Sequence, residues 1–116
     1  MRYLIVDDNA GMREMIRETA CTVQDSVLEC SNGNEAVSAF STFHPDVVLM
    51  DIEMKDMDGF TASERIYQQD PDARIIFVTS HNTSAFRIKA KLMKAEGFVT
   101  KENLSELTRL LSTNTH

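Results

Sequence analysis

Val47-Val48-Leu49-Met50-Asp51 decides how this chain folds. Four consecutive apolar residues, two of them β-branched, predict a short strand buried on both faces, as inside a parallel sheet. The run stops at Asp51, and Lys55, Asp56, Asp58 and Gly59 behind it read as a loop. A carboxylate at the carboxyl end of a buried strand stands where open α/β sheets bind their ligands. The pattern recurs: Tyr3-Leu4-Ile5-Val6 ends in Asp7-Asp8, Ile75-Ile76-Phe77-Val78 in Thr79, and Phe98-Val99-Thr100 in Lys101. If these strands are parallel, three acids, a hydroxyl and an ammonium converge on one edge of the sheet.

With 116 residues, 42% hydrophobic and 26% charged, the chain is expected to form one domain (1–116) with no output domain. A formal net charge of -6 argues against general binding to nucleic acid or an anionic membrane, though it permits a local basic patch. No apolar run approaches the roughly 20 residues that span a bilayer. The N-terminus enters the first strand at once, so no signal peptide is expected. Cys21 and Cys30 match no metal or redox spacing, which predicts reduced, mostly buried thiols and a cytoplasmic location.

Asn9 is a predicted N-cap, with Met12, Met15, Ile16 and Thr19 following at helical spacing. A strand around Val27 to Cys30 comes next. Asn32 and Glu35 are spaced as a capping box, and Ala36, Val37, Ala39 and Phe40 give the second helix its buried side. Phe60, Ala62, Ile66 and Tyr67 suggest a third helix ending before Asp70-Pro71-Asp72. Ala85, Ile88, Leu92 and Ala95 mark a stripe of a fourth helix, stopped by Gly97 as a C′ residue. Asn103 and Glu106 are again spaced as a capping box, opening a last helix with Leu107, Leu110 and Leu111 inward. Ser112 to His116 is polar, and fraying is expected there. Five strands alternating with five helices predict a doubly wound α/β fold around a five-stranded parallel sheet.

The convergent residues suit one chemistry. Asp7, Asp8 and Asp51 repel one another unless a cation sits among them, and hard oxygen ligands select Mg²⁺. Alone, the Asp pair could simply start a turn. Lys101 alone would be a solvated charge and Thr79 an ordinary strand-end residue. Together they make a phosphoryl-transfer site, with a carboxylate nucleophile, a metal to offset charge, and Thr and Lys to hold phosphoryl oxygens. No nucleotide-binding Gly fingerprint is present, so the phosphoryl group must arrive on another carrier.

Asp7-Asp8, Asp51, Thr79 and Lys101, at strand ends in this order, resemble the receiver domain of two-component response regulators. Asn32-Gly33-Asn34-Glu35-Ala36, Met57-Asp58-Gly59 and Gly97-Phe98 extend the resemblance over essentially the whole chain. It implies a flavodoxin-like strand order of 2-1-3-4-5. It implies that Asp51 is the phosphoacceptor, fed by a phosphohistidine of a histidine kinase or histidine phosphotransfer protein. Asp8, Asp51 and the backbone carbonyl of Glu53 would hold Mg²⁺ (or Mn²⁺), with Asp7 acting mainly through water. Thr79 and Lys101 would contact the phosphoryl group, and Phe98 would rotate inward as Thr79 moves. Glu53 and His81 occupy positions that look out over the site and would tune the phosphate's lifetime, unless both are merely solvated.

Two departures accompany the resemblance. Lys101 precedes Glu102 rather than proline, so a trans bond is expected. Lys55 replaces a frequent proline, which predicts a less rigid loop. Arg87, Lys89, Lys91 and Lys94 form a run without acids, either a solvated helix face or a docking patch for a downstream target on the fourth helix, fifth strand and fifth helix. The resemblance implies a stand-alone, phosphorylation-controlled switch rather than an enzyme, either monomeric or dimerising on phosphorylation. An aspartyl-phosphate phosphatase is the rival enzyme, since Glu53 has the spacing of its general acid, but nothing encodes a substrate-gating cap. An unphosphorylated adaptor is the other rival, and it would have no use for the acid, Thr and Lys set.

Overall fold

The structure is a computed structural model, which describes residues 1–113. Its elements are β1 (Arg2–Val6), α1 (Ala10–Ala20), β2 (Ser26–Cys30), α2 (Gly33–Phe43), β3 (Val47–Met50), α3 (Gly59–Gln69), β4 (Ile75–Thr79), α4 (Ser84–Leu92), β5 (Gly97–Thr100), a 3₁₀ turn (Lys101–Asn103) and α5 (Ser105–Thr113). Of the stretch from Ser112 to His116 where fraying is expected, Ser112 and Thr113 belong to α5, and residues 114–116 lie outside the described ones.

The five strands form one parallel sheet in the order β2-β1-β3-β4-β5. Alternate side chains of each strand leave opposite faces, so an unbroken apolar run requires cover on both. Leu4, Val6, Val48, Met50, Ile75 and Phe77 pack on one face with Ala36 and Phe40 of α2, Phe60 and Ile66 of α3, and Ala90 of α4. Tyr3, Ile5, Val47, Leu49, Ile76, Val78 and Val99 pack on the other with Ile16 of α1 and Leu107 and Leu111 of α5. Each such fully buried side chain contributes roughly 1.5–3 kcal/mol. Both strand polarity and layering therefore send the ends of β1, β3, β4 and β5 to one edge.

Caps set the helix starts. Asn9, Asn32, Asp58 and Thr83 each accept, through the side chain, the N–H three residues on. The box expected at Asn32 is shifted: the Glu35 carboxylate takes the Ser31 N–H and hydroxyl, not the Asn32 N–H. The box expected at Asn103 does not form, because Asn103 lies within the 3₁₀ turn and its side chain accepts from Ser105 Oγ.

Two helix faces differ from expectation. In α1, Met15 is 51% exposed and Thr19 is exposed, while Met12, Ile16 and Ala20 form the inner row. In α4, Ile88 is 58% and Leu92 77% exposed, with Ala85 exposed beside them. The buried row is Phe86, Ala90 and Met93, anchored by an edge-to-face contact between Phe86 and Phe60 at 5.4 Å. The helix ends at Leu92, with Lys94 left-handed at φ 64, and Gly97 begins β5 rather than serving as C′. No peptide bond among the described residues is cis, so Lys101–Glu102 is trans as expected. Burial raises both thiols to a pKa of about 11, consistent with inert cysteines, and Cys21 and Cys30 are unbridged. No helix among the described residues is long and apolar enough to cross a membrane.

Candidate functional site

Asp7 closes β1. Its N–H donates to the Cys30 carbonyl at 3.1 Å, and its Oδ1 accepts the Asn9 N–H at 2.9 Å. Asp51 closes β3, where its N–H donates to the Val6 carbonyl at 2.9 Å and its Oδ1 accepts the Ile52 N–H at 2.8 Å. Both carboxylates are buried and Asp8 beside them is exposed. One oxygen from each of Asp7, Asp8 and Asp51 falls within a common span of 4.8 Å. Lys101, 16% exposed, reaches in from the end of β5, its Nζ 2.9 Å from Asp7 Oδ2 and 3.2 Å from Asp51 Oδ2.

The single ammonium serves two buried acids, and the third stands open to solvent. The approach of Lys101 to Asp7 Oδ2 is an ion pair without hydrogen-bond alignment, which leaves that buried oxygen with unused acceptor capacity. Two carboxylates plus such an oxygen, all hard donors, fit a small divalent cation of the Mg²⁺ kind. The electrostatics agree. Burial, and then the charge of Asp7, push the Asp51 carboxyl up to about 6, against the downward pull of Lys101. Burial works against the Lys101 charge, but Asp7 and Asp51 outweigh it and raise its pKa.

Thr79 is buried, with its Oγ1 accepting the His81 N–H at 3.2 Å, so the hydroxyl proton remains available to another acceptor. Glu53 and His81, both exposed, meet each other at 3.2 Å (Oε1 to Nδ1). Phe98 stands apart from the acids. It is half-buried, in register with Phe77 while Thr100 faces Thr79, and the Arg87 guanidinium lies 4.7 Å above its ring. Volume alone would mislead here. A cavity of about 820 Å³ lies at the other end of the sheet, bounded by Tyr67, Ala73, Arg74 and Glu96, away from the acid cluster.

Two contributors were not legible in the sequence. Gly59, read as a loop breaker, opens α3 directly against the Asp51 backbone: a Cβ there would stand 1.9 Å from the Asp51 carbonyl oxygen. Arg13, in the first turn of α1, donates to the Asp7 carbonyl at 2.7 Å. Neither carries a local signal, since each depends on a partner far along the chain or across a turn.

The sequence model of the response regulator receiver domain matches residues 3–112. The chain is 39% identical over 101 residues to the chemotaxis protein CheY of Thermotoga maritima, covering 86% of this chain and 84% of that one. It is 41% identical over 101 residues to CheY of Bacillus subtilis, with the same coverage. Among solved structures, a LuxR-family two-component response regulator from Aurantimonas sp. SI85-9A1 superposes with a TM-score of 0.88 at 33% identity, over 97% of this chain and 82% of that one. The response regulator domain of Thermotoga maritima CheB gives 0.82 at 30% identity, over 97% and 91%.

Proposed function

The chain belongs to the response regulator receiver domain family, and on that premise we propose that Asp51 is the phosphoacceptor of a two-component signalling switch. The observation that carries this reading is the convergence of Asp7, Asp8 and Asp51 within 4.8 Å, with Lys101 paired to two of them. The donor is a phosphohistidine of a histidine kinase or histidine phosphotransfer protein. An Asp51 oxygen attacks phosphorus, the P–N bond breaks, and its electron pair returns to the imidazole, which takes up a proton. Thr79 donates its hydroxyl proton to a phosphoryl oxygen, and Lys101 stabilises another by charge.

Asp8, Asp51 and the Glu53 carbonyl would hold Mg²⁺ or Mn²⁺, with Asp7 adding its charge beside them. When bound, the ion supplies positive charge against the repulsion between carboxylate and phosphoryl group. Phe98 is the switch aromatic. Glu53 and His81 tune hydrolysis, a role supported by their direct contact over the site. The protein acts as a cytoplasmic switch rather than an enzyme with a substrate of its own, monomeric or dimerising on phosphorylation.

The test is intact-mass spectrometry after acetyl phosphate and Mg²⁺. One phosphoryl mass is expected on wild type, suppressed by EDTA and absent from Asp51→Asn. No adduct, together with no beryllofluoride binding, would sink the reading in favour of a pure adaptor. In the same samples, Glu53→Ala and His81→Ala are expected to change the decay of the adduct severalfold. Decay at the wild-type rate would return both residues to solvated loop positions.

Receiver domains interact with kinases and downstream targets. The exposed Ile88 and Leu92, set among Arg87, Lys89 and Lys91 on α4, support this helix and its β5 and α5 neighbours as the face for an acidic target. Lys89→Glu with Lys91→Glu is expected to weaken target binding while leaving acetyl phosphate labelling within about twofold. Loss of labelling as well would mean misfolding instead of a docking role.

A further inference from the structure

Asp7 has almost every polar group committed. Its N–H goes to β2, its Oδ1 to the Asn9 N–H, and its Oδ2 faces Lys101. Its carbonyl lies past the end of the β1 strand, and there Arg13 Nη1 donates to it at 2.7 Å. The guanidinium is itself held: Arg13 Nε donates to Glu29 Oε1 at 2.9 Å, and Glu29 Oε2 is 3.3 Å from Arg17 Nη1. Glu29 sits in β2, one residue before the Cys30 carbonyl that receives the Asp7 N–H. One planar fork therefore joins the edge strand, the first turns of α1 and the peptide between Asp7 and Asp8.

We propose that Arg13 is a positioning residue for the cation site: by fixing the Asp7 carbonyl it orients the 7–8 peptide and keeps both carboxylates turned toward Asp51. This rests on the reading that the acid cluster binds Mg²⁺. Three like charges in a small space favour any backbone rotation that separates them. A cation site of this kind binds tightly only when its ligands are held together beforehand, so that binding does not have to order them. Asn9 restrains the side chain of Asp7, but the peptide leading to exposed Asp8 has Arg13 as its anchor. Arg13 adds little net charge to the site, because Glu29 already pairs with it. Its effect is exerted through geometry.

The experiment is Mg²⁺ titration of the unphosphorylated protein by calorimetry, beside urea unfolding in EDTA, for wild type, Arg13→Gln and Glu29→Gln. Arg13→Gln is expected to raise the Mg²⁺ Kd at least fivefold. Glu29→Gln, which leaves the donor to the Asp7 carbonyl in place, is expected to raise it less than Arg13→Gln even where the two lose similar stability. If Arg13→Gln and wild type bind Mg²⁺ within twofold of each other, Arg13 is only a staple between helix and strand and the proposal fails. If wild type itself binds no Mg²⁺, the underlying reading fails and takes this one with it. Should Arg13→Gln not fold, Arg13→Lys makes the same comparison. Its ammonium keeps the charge and the Glu29 pair but lacks the fork that reaches both partners, and an unchanged Kd there also overturns the proposal.

Discussion

Gly59→Ala is expected to cost at least about 3 kcal/mol of unfolding free energy, in the severe range for a single methyl group. The added Cβ would stand 1.9 Å from the Asp51 carbonyl oxygen and 2.8 Å from both the Asp51 carbonyl carbon and Ile52 Cα. These are backbone atoms at the end of a buried strand, and no rotamer change removes them. The Gly59 N–H also donates to the Ile52 carbonyl at 2.7 Å, so α3 cannot back away without losing that bond. Space is the requirement here, since no glycine among the described residues has positive φ. Gly33→Ala is the control. Its Cβ would meet the Met57 side chain at 3.1 Å and Ala62 Cβ at 3.2 Å, and methionine can give way, so a loss within about 1 kcal/mol is expected. Urea unfolding of both variants checks the contrast, and equal losses would refute the backbone-clash account. Because the clash falls on the carbonyl of Asp51, one of the clustered acids, Gly59→Ala should also weaken Mg²⁺ binding under conditions where it remains folded.

Lys101→Met is expected to destabilise the metal-free protein by about 3 kcal/mol at pH 8 and by much less at pH 5. The ammonium is the shared counter-ion of Asp7 and Asp51, and without it two buried acids face each other. The sign follows from linkage. In wild type the Asp51 carboxyl already sits at about 6, against an ordinary 3.8. Between those values the native state holds a proton that the unfolded chain has released, so stability declines as pH rises through that window. A rise of about two units corresponds to roughly 3 kcal/mol before solvent screening and nearer 2 after it. Asp51→Asn should therefore stabilise the metal-free protein by about 2 kcal/mol at pH 7.5, with the gain vanishing below pH 4. Removing Lys101 takes away the side-chain charge that lowers the Asp51 pKa, so the decline extends to higher pH. Thermal melts in EDTA at pH 5 and 8 test this, and equal losses at both would refute it. Added Mg²⁺ should recover part of the loss at pH 8 by replacing the missing positive charge.

The site was readable because each of its acids, hydroxyl and ammonium ends a strand, and strands are local. Val47 to Met50, Tyr3 to Val6 and Ile75 to Val78 are too apolar to be anything but doubly covered strands, and a parallel sheet brings their ends together. Asn9 and Asn32 were readable for the same reason, since a cap acts three residues away. Helix faces were less secure. Ser84 to Met93 carries two apolar rows at helical spacing, Ala85-Ile88-Leu92 and Phe86-Ala90-Met93, and periodicity ranks neither. The choice fell to Phe60 of α3, whose ring receives Phe86 edge-on, and the other row was left facing solvent among lysines.

By itself, the sequence determined the elements, their layering and the convergence of Asp7, Asp8, Asp51, Thr79 and Lys101, because all of these follow from short-range patterning and strand polarity. Tertiary structure alone decided which row of α4 is buried, that Glu53 and His81 touch, that Lys101 divides its charge between two acids, and that Arg13 and Gly59 support the backbone of those acids. The physical reason is one of range. Burial patterns and caps are written within a few residues, whereas a pairing such as Lys101 with Asp51, or a clearance such as Gly59 against the Asp51 carbonyl, exists only once distant segments have packed.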